Sequence, residues 1–498
     1  MTADSVTDAL YTTAQVRAFD AHAIEVLGIG GEDLMRRAAH AALDVLRRRW
    51  PQAHRVAVVC GPGNNGGDGF LLAAGARAVG MDARALALTP VSRDDAAKAR
   101  EVCMDAGVPV DGMDVAAEVF AQADIIVDAL FGSGLARPLQ GAAADAVGAI
   151  NAADRPVLAL DVPSGLDADT GHAAGAAVRA QATASFVAWK RGLFTGDAGN
   201  HCGVLSLHTL GLPDALRVSQ VPDARLWRVT GLPPRERVGH KGLYGHVLAV
   251  GGDHGMGGAI RLAAEAALHT GAGLVSVATR SEHVTALLAA RPEVMTRAVS
   301  SATDLAALLE RASVLVLGPG LGRGDWGRAL WHAGMASRVP LVLDADGLNL
   351  LAASPRVFGD RPVVLTPHPG EAARLLECTT ASVQADRFAA ARMLAQRFHA
   401  VVVLKGAGSL VAAPDGRVAV CRFGNPGMAS GGMGDVLGGI IAGLLAQHLP
   451  AWQAACLGTC VHARAGDIAA MGGERGLSAS DLFAPLRRLV NGLDDGHA

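Results

Sequence analysis

The run Val56-Ala57-Val58-Val59-Cys60-Gly61-Pro62-Gly63-Asn64-Asn65-Gly66-Gly67-Asp68-Gly69-Phe70 decides the fold class of this chain. Five apolar residues form a buried strand, and the GxGxxG pattern of Gly61, Gly63 and Gly66 turns it into an apolar helix from Phe70. Glycines permit tight turns and close backbone approach there, and the helix N-terminus offers unpaired N–H groups to a phosphate. Further β-rich runs follow with helical stretches between them: Arg84 to Leu88, Ile125 to Leu130, Val157 to Leu160, Thr183 to Ala188 and Gly203 to Leu210. Two amphipathic helices between Thr13 and Trp50 come first. This alternation predicts a doubly wound α/β domain, a mostly parallel sheet with helices on both faces.

From Leu212 to Lys241 the rhythm breaks at Pro213, Pro222, Pro233 and Pro234. We place a domain boundary near residue 222, giving domains 1–221 and 222–498. A second βα series then runs through His246 to Val250, Leu274 to Ala278, Val314 to Leu317, Leu341 to Leu343, Val363 to Leu365 and Val401 to Leu404. Ser409 to Val411 and Val418 to Cys421 flank Asp415-Gly416 and predict a hairpin.

Composition narrows the function classes. The 498 residues are 50% hydrophobic, enough for several buried cores, and net charge is -3 without a basic stripe, which excludes a dedicated nucleic-acid binder. Mean hydropathy is +0.28, yet the longest apolar run, Val436 to Ala446, is too short to span a bilayer. No charged-then-apolar leader opens the chain. The seven cysteines lack zinc spacing, and a reducing, cytoplasmic setting is expected.

Asp82, the nearest ribose-binding acid, precedes its strand, and Asn64, Asn65 and Asp68 are polar beyond what a pyrophosphate turn needs. Both points disfavour an ordinary NAD dehydrogenase. Two later strand ends repeat the polar-glycine theme: Asp128 before Gly132-Ser133-Gly134-Leu135-Ala136-Arg137-Pro138, and Asp161 before Ser164-Gly165. A strand-end Asp is commonly a cap or turn residue. Three such ends converging on one crevice would place oxygens of Asn65, Asp128 and Ser164 around a hard cation, with Asp161 as an acid/base.

In the second half no GxxxxGK[ST] occurs, so P-loop chemistry is out. Asn425 to Val436 carries a glycine run into an apolar helix, an anion cradle of backbone N–H groups with Asp435 on its rim. That carboxylate would repel phosphate but could take a proton from an attacking hydroxyl. Gly318 to Gly322, Asp344 to Asn349, Thr366 to Glu371 and Lys405 to Ser409 follow strands of the same series. The chain has four lysines, Lys98, Lys190, Lys241 and Lys405, so a lysine beside a glycine turn suggests a compact cation near phosphate.

The strings GPGNNGGDG, VDALFGSGLARP and DVPSGLDADTG resemble the NAD(P)H-hydrate epimerase family. The resemblance implies hydrate contacts at Asn64, Asn65, Gly66, Gly67, Asp68, Gly132, Ser133, Gly134, Leu135, Ala136, Arg137, Pro138 and Asp161, and potassium ligands at Asn65, Asp128 and Ser164. HKGLYGHVLAVGG, RPEVM, GPGLG, DADGLNLL, TPHPGEAARLL, KGAGS and GMASGGMGD resemble the ADP-dependent NAD(P)H-hydrate dehydratase family. This implies hydrate contacts at Ala259, Gly320, His368 and Asp435, nucleotide contacts at Lys405, Gly406, Ala407, Gly408, Ser409 and Gly434, and Asp435 as catalytic base. Met433 and Gly438 depart from the pattern, which usually has small hydroxyl residues there; Met433 keeps its backbone N–H, so weaker phosphate binding is the most that is expected, with an effect on rate rather than on activity.

Together the resemblances imply a Rossmann-like α/β/α sandwich fused to a ribokinase-like α/β domain. Their joint activity would be repair of hydrated NADH and NADPH, with Mg²⁺ accompanying ADP and potassium in the first domain. A homo-oligomer with small-molecule partners, and no membrane partner, is expected. Two other readings stand at this point: a ribokinase-type small-molecule kinase with a regulatory dinucleotide-binding domain, and a first domain that binds without catalysing.

Overall fold

The computed structural model describes residues 8–89, 94–135, 137–356 and 358–493. The chain divides into two compact units, Met1–Arg225 and Leu226–Ala498. Ala136, named above as a hydrate contact, lies outside the described residues.

In the first unit seven strands form one parallel sheet in the order Val110–Gly112, Asp82–Ala87, Arg55–Cys60, Ile125–Ala129, Val157–Leu160, Ala182–Phe186, Val204–His208. Alternate side chains of each strand enter different cores. Val56, Val58, Cys60, Ile125 and Val127 pack on one face, and Ala57, Val59, Ile126, Val157 and Ala159 on the other. A sheet buried on both faces must be valine-rich throughout, which is why these strands lack polar alternation. The order reverses between Arg55–Cys60 and Ile125–Ala129, the switch point of a doubly wound Rossmann-like sheet, where a crevice opens at the strand carboxyl ends.

The second unit repeats the plan. Its sheet runs Val418–Val420, Leu410–Ala412, Val401–Leu404, Val363–Leu365, Leu341–Leu343, Val314–Leu317, His246–Val250, Leu274–Thr279, Met295–Ala298. The strands are parallel except for the expected hairpin, whose two strands pair antiparallel. The switch point lies between His246–Val250 and Val314–Leu317. Among the described residues no helix is long and apolar enough to cross a membrane.

Two local expectations need correction, and two strands went unread. The helix after the first glycine turn begins at Asn64, not Phe70, with Gly63 as its N-cap, so Asn64 to Gly67 are its first turn. Asp82 is the first residue of its strand rather than preceding it, and still lies at the end away from the crevice. The edge strands Val110–Gly112 and Met295–Ala298 carry mostly exposed or half-buried side chains and so no apolar signal.

The helix Met433–Ala446 is the spine of the second unit, buried at every residue from Val436 to Ala446. It packs on the helix Gly257–Thr270 with its backbone close to that neighbour: a Cβ on Gly439 would stand 2.1 Å from the Ala263 carbonyl oxygen. Gly→Ala in a helix normally stabilises. Here Gly439→Ala should instead destabilise the second unit by about 1–3 kcal/mol, as overpacked cores do, measured as a lower urea midpoint.

Candidate active sites

In the first unit, Asp161 follows the strand Val157–Leu160 with φ +66, a left-handed conformation rare outside glycine. Its Oδ2 accepts from the Ser133 amide at 3.0 Å, and its Oδ1 pairs with Lys190 Nζ. Lys190 is 1% exposed and also donates to the Phe186 carbonyl at 2.8 Å and Ser185 Oγ at 3.2 Å. Burial would raise the Asp161 carboxyl, but Lys190 and the Ser133 amide outweigh it and hold it below its ordinary value. Asp68 is the reverse case. Burial, with the like charges of Asp161 and Asp20, pushes its carboxyl well above the carboxylate range, Lys190 opposing.

Asp20, on the helix Thr13–Glu25, is pushed up to about 6 by burial and by Asp161, against Lys190. Arg17 of that helix donates to the Ser133 carbonyl at 3.3 Å, which ties it to the second turn. The crevice thus holds one ionised carboxylate on a buried lysine and two carboxyls poised to carry protons.

Beside it lies an oxygen cluster. Asp128 is 0% exposed, accepts from Ser164 Oγ at 2.7 Å and from the Ser164 and Leu130 amides at 2.8 and 3.2 Å, and has no cationic partner among the described residues. Burial pushes it up to about 6 even so. Both side-chain polar atoms of Asn65 are buried without a hydrogen-bond partner. The orphaned amide oxygen of Asn65 and the uncompensated buried carboxylate of Asp128 have the donor chemistry that a hard monovalent cation would satisfy. Gly132 adjoins Asn65 and Asp161: a Cβ there would be 3.0 Å from Asp161 Oδ2 and 3.3 Å from Asn65 Oδ1. Gly66 and Gly67 are buried in the helix's first turn, and Asn64 is exposed. Leu135 packs half-buried against the second core, and Gly134, Arg137 and Pro138 are exposed along their turn.

The second unit gathers a larger charged cluster. Lys405 Nζ lies 2.8 Å from Asp344 Oδ1 and 3.8 Å from Glu371 Oε2, and Asp344 is 1% exposed. Asp435 occupies the first turn of the helix Met433–Ala446, whose first backbone bond, Val436 N–H to the Gly432 carbonyl, leaves the Met433, Gly434 and Asp435 amides ahead of it. The Asp435 carboxylate has no hydrogen-bond partner among the described residues. Burial, then Asp344 and Glu371 against Lys405, pushes it up to about 7. Glu371 is likewise pushed up to about 7 by burial and by Asp344, with Lys405 opposing.

Gly434 and Gly438 face this cluster: Cβ atoms there would stand 3.2 Å from Lys405 Nζ and 3.9 Å from Asp344 Oδ2. Met433 is instead buried in the apolar core, so no side chain competes with its amide. Gly320, φ +56, adjoins Ala259: a Cβ on the glycine would stand 3.4 Å from the Ala259 Cβ. The Gly406 to Ser409 turn is closed by Ser409 Oγ, which accepts from the Gly406 amide at 3.2 Å. His368 caps the helix Pro369–Leu376: its Nδ1 accepts from the Gly370 and Glu371 amides at 3.0 and 3.3 Å. Burial and Lys405 lower its pKa, so the ring is neutral with its proton on Nε2.

Sequence reasoning gave no role to Lys190, Asp20, Asp344 or Glu371. Lysine scarcity was the available signal, since two of the four lysines are the cations of the two sites. Asp20 interrupts the buried set Val16, Phe19 and Ala23. Glu371 stands three residues from His368, the capping-box interval.

Two charged clusters at strand carboxyl ends, each pairing a carboxylate with a lysine near a helix N-terminus, are of the kind that enzymes acting on anionic nucleotides use. Residues 31–192 match the family of the YjeF-related protein N-terminus, and residues 247–488 match NAD(P)H-hydrate dehydratase. The chain is 47% identical to the bifunctional NAD(P)H-hydrate repair enzyme Nnr of Coxiella burnetii, over 97% of this chain and 99% of that protein. It is 43% identical to the Escherichia coli protein of the same name, over 98% and 95%. A solved structure of ADP/ATP-dependent NAD(P)H-hydrate dehydratase from Bacillus subtilis, crystallized with ATP and Mg²⁺, aligns at TM-score 0.49 and 29% identity, covering 53% of this chain and 95% of that one. The chain belongs to the family of bifunctional NAD(P)H-hydrate repair enzymes.

The Asp435 shift carries a stability consequence. A carboxyl that titrates at 3.8 when unfolded and about 7 when folded adds stability below 3.8, and that stability is lost as pH rises through 7. Asn mimics the protonated form. The melting temperature of Asp435→Asn should therefore exceed that of wild type by a margin that widens from about pH 5.5 to pH 8.5, reaching about 3 °C, which calorimetry would read.

Proposed function

We propose that the chain repairs hydrated reduced nicotinamide nucleotides, with residues 1–221 epimerising the R and S hydrates and residues 222–498 dehydrating the S form at the expense of ADP. The single observation that carries the second step is Asp435: an unpartnered carboxylate, pushed up to about 7, on the rim of a helix N-terminus. A base serves best when its pKa is near the working pH. Asp435 takes the proton of the S-hydroxyl as that oxygen attacks the terminal phosphorus of ADP, and the bond to the AMP oxygen breaks. The amides of Gly431 to Gly434 face the charge that develops on the phosphoryl oxygens. The phosphate ester is then eliminated as the neighbouring ring carbon loses its proton, which restores NAD(P)H. Ala259, Gly320 and His368 are assigned to the hydrate, and Lys405 to Ser409 with Gly434 to the nucleotide, which enters with Mg²⁺. Lys405, held by Asp344, acts on phosphate through its field more than by direct contact.

In the first domain Asp161 and Lys190 form the proton-transfer pair, with Asp20 and Asp68 as proton reservoirs. Asn64 to Asp68 and Gly132 to Pro138 are assigned to the hydrate. Potassium would be held by Asn65, Asp128 and Ser164, supplying a fixed positive charge that joins the turns and offsets the anionic substrate. The seven free cysteines, six of them buried, suit a reducing cytoplasm.

Supplying the protein with S- or R-hydrated NADH, ADP and Mg²⁺ should restore absorbance of the reduced nicotinamide ring. Asp435→Asn should abolish recovery from both forms, and Asp161→Asn should slow the R form selectively. A stable phosphorylated product without recovery would instead indicate a kinase. Because protonated Asp435 cannot accept the hydroxyl proton, kcat/KM for dehydration should rise with pH through about 7 and level above it.

Replacing potassium with choline should lower the melting temperature of wild type. The same exchange should leave Asp128→Asn unmoved; an equal potassium response in that variant would remove the assigned site.

A further inference from the structure

Arg387 is 1% exposed, one of the largest side chains fully enclosed by the protein, and it opens the helix Arg387–Phe398. Its Nη2 donates to the carbonyl oxygens of Leu404 and Lys405, each at 3.3 Å, and its Nη1 to Gln384 Oε1 at 2.7 Å. Those carbonyls stand where the strand Val401–Leu404 ends and the Lys405 to Ser409 turn begins. The guanidinium lies flush with the turn: a Cβ on Gly406, φ +138, would be 3.0 Å from Nη1 and 3.1 Å from Nη2. On its other side the Lys405 amide donates to the Pro367 carbonyl at 2.9 Å.

Burying a guanidinium is costly, and an apolar side chain of like volume usually fills such a place at no loss of stability. Its donors must therefore be serving something. In a planar trans peptide the C=O and the following N–H point in opposite directions. With the Lys405 carbonyl drawn to Arg387, the Gly406 N–H is turned away from it and meets Ser409 Oγ at 3.2 Å. Ser409 Oγ in turn donates to the Gly406 carbonyl at 2.9 Å. One buried fork thus sets the first peptide of the turn, and that peptide sets the rest.

We propose that Arg387 is a positioning residue for the nucleotide subsite: it holds the Leu404 and Lys405 carbonyls inward, away from the phosphates of ADP, and so fixes the conformation of the turn from Gly406 to Ser409. The proposal rests on assigning that turn to the nucleotide. Arg387 touches no substrate and acts only through the backbone.

The test uses the full chain with S-hydrated NADH, varying ADP and hydrate separately. Losing hydrogen bonds from a charged donor predicts a KM for ADP about tenfold higher in Arg387→Met, with the KM for hydrate within about twofold of wild type. Arg387→Lys keeps the charge but not the planar fork and should fall between, at about threefold. An unchanged ADP KM in folded Arg387→Met would overturn the proposal. So would equal rises for ADP and hydrate, or a fall in kcat alone, since a general structural role would produce these. If Arg387→Met does not fold, Arg387→Lys decides by the same comparison. Failure of wild type to use ADP would sink the nucleotide assignment itself, a different result from a wild type that uses ADP and variants that match it.

Discussion

A strand covered on both faces can present polar atoms only at its ends. That constraint governs both units. In the first, the alternating residues of Arg55–Cys60 and Ile125–Ala129 are consumed by two separate cores, and the carboxylates Asp128 and Asp161 come at or just past strand termini. In the second, Asp344 follows Leu341–Leu343 and Lys405 follows Val401–Leu404. Parallel pairing then aligns the ends, so residues far apart in the chain share one crevice.

What gathers there is charge in a dry place, and each unit resolves it in the same way. A lysine at the crevice pairs with one carboxylate, Lys190 with Asp161 and Lys405 with Asp344. With the cation so engaged, neighbouring carboxyls feel burial and like charge more than attraction and rise toward neutrality, Asp20 and Asp68 in one unit, Glu371 and Asp435 in the other. Pairs of carboxyls driven apart in this way are how one site holds both an acid and a base at one pH. A lysine suits the task because its point charge sits on a slim apolar stem that a core can enclose.

Much of this was legible in the chain itself. Short apolar runs ending in polar or glycine residues give the central strands nearly residue for residue, as at Val157–Leu160 and Val314–Leu317, because burial on both faces leaves no ambiguity of period. The polar-glycine strings mark the strand ends that converge. The rest was hidden for physical reasons. Edge strands are half solvated and look like loops. The helix start at Asn64 is masked because four glycines have low helix propensity, and only packing makes them helical. Lys190 sits in no motif; it matters through the side chains around it. Arg387 looks like any helical arginine until the carbonyls of Leu404 and Lys405 are seen to end on it.

The distribution of lysines has a practical side. Lys190 is enclosed and the side chain of Lys405 is 19% exposed, whereas Lys98 and Lys241 are on the surface. Amine-directed coupling chemistry, which on most proteins attaches at random, would here find two accessible lysine side chains, Lys98 and Lys241. The chain is therefore suited to tethering on a support through defined lysines.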